Sequence, residues 1–192
     1  MQQRTMMIGD VSCIVYEQKH AECLLVQVAD TSDLETLDHE VELIRDTAAR
    51  PFVLAAYPVR NWNHDLSPLQ APPVYGQQGF GDGAQQTLKT LEEAVIPQTC
   101  AALEIAGTVP VVLGGCSLAG FFALWAAYHS IRFEAIAAVS PSMWFPGWIP
   151  FTKDHAPHAC HIYLSLGDKE EKTKNKTMAT VGNGRRLYAD PV

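Results

Sequence analysis

Short runs rich in Val, Ile, Leu and Ala recur along this chain, and between them lie longer stretches whose apolar residues return every three or four positions. The runs SCIVYEQ (12–18), CLLVQVA (23–29), PFVLAAYPV (51–59), VVL (111–113), FEAIAAVSPSMW (133–144) and CHIYLSLGDKEE (160–171) have the composition of strands buried in a sheet. TSDLETLDHEVELIRDTAAR (31–50) places Leu34, Leu37, Val41 and Ile44 at helical spacing behind a cap at Thr31 or Ser32. AQQTLKTLEEAVIPQTCAALEI (84–105) predicts a long helix kinked near Pro97, and LAGFFALWAAYHS (118–130), apolar nearly all round, predicts a buried one. Strands alternating with helices, with no hairpin dipeptide between the apolar runs, predict βαβ units. The fold class is therefore α/β, a mostly parallel sheet with helices on both faces.

Composition supports one domain over residues 1–192: the chain is 47% hydrophobic and 18% charged, enough apolar material for a substantial core. Its net charge of −7 disfavours nucleic acid or an anionic membrane as partner, since either needs clustered Lys and Arg. MQQRTMMIGD has no apolar signal segment, and no apolar run approaches the ~20 residues that span a bilayer, so a cytoplasmic protein is expected. Five cysteines without a CxxC pair indicate neither a disulfide framework nor a zinc site. HAPHACH (155–161) reads as a polar loop entering a strand rather than a ligand set, and no metal or cofactor is expected.

The chemistry concentrates at VVLGGCSLAG (111–120), where a strand runs through glycines into a helix with Ser117 at the join. A serine on such a turn takes a strained backbone conformation that exposes its hydroxyl, and the residues two before and two after it must be small. Gly115 and Ala119 occupy those positions, with Gly120 following. The helix N-terminus points its amides at charge developing in acyl transfer, making the Leu118 N–H the first oxyanion donor. A phosphate-binding turn would need GxxxxGK[ST] or GxGxxG, and neither is present. Cys116, one residue before the apex, is read as a packed structural thiol. RNWNHDLSPLQAPPVYGQQGFGDG (60–83) lacks periodicity but carries Trp62, Tyr75 and Phe80, so it reads as an ordered loop at a binding face.

These residues resemble the "Putative esterase" family of α/β-hydrolases, the group that includes esterase D and the enterobactin esterases. The resemblance covers most of the chain and rests on NWNHDLSPLQAPPVYG, GGCSLAG, SPSMW and YLSLGDKEEKTKN in that order. It implies an α/β-hydrolase fold with an acyl-enzyme at Ser117. A second oxyanion amide is implied at Val59 or Arg60, with Arg60 preferred. Trp62, Asn63 and Asp65 would form one pocket wall, and Ser142 and Trp144 of SPSMW the other. The base-orienting acid is expected at Glu170, three residues beyond Gly167, with Asp168 and Glu171 as alternatives.

The resemblance breaks at the end of the sequence. The acid should be followed by a catalytic histidine, and no histidine follows His161. A C-terminal strand and helix are therefore expected to be missing, through truncation or a frame change near Gly182, with Pro191 halting whatever helix resumes. Such a loss leaves an exposed sheet edge and predicts a homo-oligomer. His64 and His155–His161 are substitute bases to be judged by geometry, and a partner subunit is another source of the base. The expected function is hydrolysis of small-molecule carboxylic esters, weak or absent without the base. A non-catalytic binding protein and an acyltransferase are the alternatives.

Overall fold

The computed structural model describes residues 1–184. Seven strands form one sheet in the order β1-β2-β4-β3-β5-β6-β7. They are β1 (Gln2–Ile8), β2 (Val11–Glu17), β3 (Cys23–Ala29), β4 (Phe52–Pro58), β5 (Val111–Cys116), β6 (Ala135–Val139) and β7 (His161–Ser165). From β4 to β7 all pairing is parallel, whereas β1–β2 and β2–β4 are antiparallel. The helices are α1 (Thr31–Thr47), α2 (Trp62–Asp65), α3 (Ala84–Thr90), α4 (Ile96–Ala102), α5 (Leu118–Ala127) and α6 (Trp148–Asp154).

The antiparallel end departs from the sequence expectation. β1 is mostly polar and methionine-rich, so it carries no buried-strand signature, and Gly9–Asp10 is the hairpin dipeptide that joins it to β2. Gly9 takes φ +61°, a value that suits glycine at this turn. Strands β2 and β3 are consecutive in sequence but not neighbours, because β4 lies between them.

Strand alternation divides the core. Leu24, Val26, Val28, Val53 and Ala55 face one side, where all ten residues of α5 are buried. Tyr16, Phe52, Leu54 and Ala56 face the other and pack on Leu37 and Val41 of α1. The cap of α1 is Asp30, not Thr31 or Ser32: its carboxylate accepts the Asp33 amide while the Asp33 carboxylate accepts the Asp30 amide. Pro97 has no N–H to offer the carbonyl four residues back, and the chain answers with a wider π turn at Leu91–Val95 between α3 and α4.

On the α1 side, coverage stops at β5. A groove of about 430 Å³ runs along Leu25, Val112, Gly114, Cys116, Ala137 and Val139 beside Asp33 and Glu40 of α1. Val139 is 42% and Tyr163 62% exposed there, so this face of the sheet is open toward the β7 edge. Cys116 faces this groove and is exposed, correcting the expectation of a packed thiol. The pleat sends it to the side opposite α5, where no helix covers β5 among the described residues.

Candidate active site

Ser117 stands at the carboxyl end of β5 with φ +57° and ψ −119°, a conformation L side chains rarely adopt and one that costs on the order of 1–3 kcal/mol. Neighbouring backbone holds it there: its N–H donates to the Val139 carbonyl at 2.9 Å, and its carbonyl accepts from Phe121 and Ser142, both at 3.0 Å. The turn closes only because of its glycines. A Cβ on Gly115 would lie 2.7 Å from backbone and side-chain carbons of Ala119, and one on Gly120 would lie 2.9 Å from the Gly115 carbonyl oxygen and 3.0 Å from that of Val139. Leu118 begins α5, so its amide has no intrahelical acceptor and lies next to the Ser117 hydroxyl.

The cavity at Ser117 is about 340 Å³ and is lined by Tyr75, Ser140, Pro141, Ser142, Trp144, Glu170, Thr173, Met178 and Val181. Ser142, Trp144 and Glu170 thus share a cavity with Ser117, as expected from the sequence. Glu170 lies three residues past Gly167, on a short 3₁₀ turn after β7. Its Oε1 accepts from the Ser140 hydroxyl at 2.6 Å and from the Gly167 amide at 2.7 Å. No hydrogen bond among the described residues uses Oε2. Asp168 does not line the cavity, and the Glu171 carboxylate packs against Gly182 instead.

The loop 60–83 is ordered, but not as expected. Asp65 turns back to accept the amides of Arg60 at 3.0 Å and Asn61 at 2.9 Å, and the Val59 amide donates to the Ala29 carbonyl at 3.0 Å. Both candidates for the second oxyanion donor are therefore already engaged, and the Arg60 side chain is drawn off into an ion pair with Asp10. Trp62, Asn63 and Asp65 do not line the Ser117 cavity. Trp62 packs on the core, Asn63 donates to the Gln78 carbonyl, and Asp65 holds the loop's own backbone. Tyr75 is the residue this loop contributes, with the preceding Val74 carbonyl tied to the Asn175 side chain at 2.7 Å. Its aromatic ring among prolines and glycines was the only sequence signal for that role.

No histidine reaches the cavity. The His64 ring bonds Asp65 at 3.0 Å, stands over Gly81 and Gly83, and lines a separate depression with Tyr57 and Arg60. His155 stacks on Phe151 and bonds its carbonyl at 2.8 Å. His161 pairs with Ala135 at the start of β6, whereas Ser165, at the other end of β7, pairs with Val139 beside Ser117. None of the histidines of 155–161 lines the Ser117 cavity. The Cys116 side chain opens into the groove on the opposite face of the sheet and does not line the Ser117 cavity, so it is no rival nucleophile there. Among the described residues no group of three or more His, Cys, Asp or Glu could hold a metal ion, and no helix is long and apolar enough to cross a membrane.

The family model described as "Putative esterase" matches residues 18–189. The chain belongs to that family. The match continues past Gly182, and Gly182 and Gly184 are themselves closely packed: a Cβ on Gly182 would meet the Glu171 carboxylate at 2.5 Å and one on Gly184 the Met143 sulfur at 2.6 Å. Membership makes this esterase a hydrolase of esters. Its fold is similar to that of the siderophore hydrolase EstA from Aspergillus nidulans, at TM-score 0.67 and 17% identity over 98% of this chain and 81% of that one. It is similar also to the BES protein from Bacillus cereus, at TM-score 0.69 and 18% identity over 99% of this chain and 83% of that one. The enterochelin esterase of Shigella flexneri has TM-score 0.72 and 14% identity over 98% of this esterase and 49% of its own chain. No curated protein sequence matches this esterase.

Proposed function

We propose that this esterase hydrolyses small carboxylic esters through an acyl-enzyme at Ser117. The observation that carries the reading is the cavity that joins a strained, exposed serine at a helix N-terminus to a carboxylate whose Oε2 takes no hydrogen bond among the described residues. Ser117 Oγ attacks the acyl carbonyl and gives its proton to an imidazole held by Glu170. The Leu118 amide then receives the developing oxyanion. Collapse expels the alcohol, which takes that proton, and water activated by the same imidazole releases the acid and restores the serine.

None of this chain's histidines lines the Ser117 cavity, so in the test free imidazole stands in for the base. The test is hydrolysis of p-nitrophenyl acetate with and without added imidazole, in the wild type and in Ser117→Ala, each corrected for the rate of imidazole alone. The expected result is protein-dependent turnover that rises with imidazole and vanishes in Ser117→Ala. Equal rates in the two proteins would refute the reading. The same missing imidazole favours a second reading, a pocket that binds ligand without turnover. That reading requires ligand binding to survive Ser117→Ala with no rate to lose.

A further inference from the structure

We infer that Ser140 is a positioning residue that fixes the Glu170 carboxylate relative to Ser117; the inference rests on the serine-hydrolase reading above. Ser140 follows β6 and is, like Ser117, a non-glycine residue at positive φ, here +44°. Three bonds surround it. The carbonyl of the preceding residue, Val139, accepts the Ser117 amide at 2.9 Å; the Ser140 amide donates to the Ser165 carbonyl at the end of β7, at 2.8 Å; and the Ser140 hydroxyl donates to Glu170 Oε1 at 2.6 Å. Two residues on, the Ser142 amide holds the Ser117 carbonyl at 3.0 Å. The 139–142 turn therefore spans the gap between the nucleophile's elbow and the loop that carries the acid.

Both bonds made by Ser140 itself run to β7 and the loop after it, while the carbonyl before it holds the elbow. The Ser140 amide reaches β7 while its side chain reaches the carboxylate, so Oε1 is pinned by two donors, the Ser140 hydroxyl and the Gly167 amide. Pinning Oε1 leaves Oε2 as the oxygen of Glu170 that no hydrogen bond among the described residues uses. A base-orienting carboxylate must present one oxygen in a fixed direction, and misplacing a catalytic group by about 1 Å can cost about 100-fold in rate. Ser140 contacts neither the reacting carbonyl nor the base in this scheme; it acts through Glu170.

The experiment compares imidazole-dependent turnover of p-nitrophenyl acetate in the wild type, Ser140→Ala, Glu170→Ala and the double variant, with kcat and KM separated. Ser140→Gly accompanies them, because glycine accepts the positive φ and also lacks the hydroxyl, so it carries the test if the alanine variant does not fold. The expected result is a kcat loss of about 10- to 100-fold in Ser140→Ala or Ser140→Gly with KM unchanged, and no further loss when Glu170 is already alanine. Unchanged kcat, a loss confined to KM, or losses that multiply in the double variant would overturn the assignment while leaving Ser117 as nucleophile. Absence of any Ser117-dependent turnover in the wild type would instead remove the hydrolase reading and this inference with it.

Discussion

Replacing Gly115 by alanine tests the elbow where it is tightest, and Gly114→Ala one residue earlier is its matched control. A Cβ at 115 would come within 2.7 Å of the Ala119 main-chain carbon and its Cβ, and within 2.9 Å of the Ala119 carbonyl oxygen. Those atoms belong to the first turn of the buried helix α5 and cannot yield without moving Ser117. At 114 the nearest atoms are the Ala137 carbonyl oxygen at 3.5 Å and its Cβ at 3.6 Å, ordinary van der Waals contact. Overpacking of this kind costs about 1–3 kcal/mol, and at ~2–4 °C per kcal/mol for a chain of this size the Gly115→Ala melt should fall by roughly 2–12 °C. Gly114→Ala should melt within a few degrees of wild type, or slightly above it, because alanine loses less backbone freedom on folding. Circular-dichroism melts report stability, and imidazole-dependent turnover reports whether Ser117 has moved. Equal melts for the two variants, or a larger loss at 114, would refute the claim that the glycines close the elbow.

Three further outcomes follow from other parts of the molecule. Burial pushes the Cys13 thiol up to about 11, and burial with the Asp38 carboxylate pushes the Tyr16 phenol up to about 12, so both fold in their neutral forms. Their contribution is complete below the ordinary values of 9 and 10 and is lost as pH rises toward 11 and 12; the Cys13 part is on the order of 2–3 kcal/mol, and Cys13→Ala should flatten denaturant-measured stability between pH 9 and 11. Asp30→Ala removes the reciprocal cap of α1 and should cost about 1 kcal/mol, read as a melt lowered by ~2–4 °C. Asn175→Ala cuts the tether to Val74 and releases Tyr75 from the cavity wall, which should raise KM roughly fivefold with kcat unchanged, while an unaltered KM would deny Tyr75 a binding role.

Sequence patterning carried the central parallel strands, the buried α5 and the elbow, because burial and close backbone approach restrict residue type directly: only small residues serve at Gly115 and Gly120. Glu170's place at the cavity was reached through the family resemblance, three residues past Gly167 in the loop after β7. Strand β1 was not legible, since an edge strand needs no apolar run, and the Gly9–Asp10 turn was passed over for lack of a recognised strand before it. That the Val59 and Arg60 amides are engaged was not legible, because backbone amides are claimed by tertiary partners, here Ala29 and the Asp65 carboxylate, that local sequence does not reveal. Cys116 was misjudged because the pleat gives a side chain's direction and not whether a helix covers that face. The roles of Tyr75 and Ser140 depend on contacts across about 100 and 30 residues respectively, beyond any local pattern.

The most direct test of the central claim is fluorophosphonate labelling of the folded protein with and without imidazole, followed by mass mapping of the modified peptide. The account predicts modification at Ser117 that accelerates with imidazole and is absent from Ser117→Ala. A folded protein that remains unmodified at Ser117 in imidazole, or that is modified at another residue instead, would contradict it.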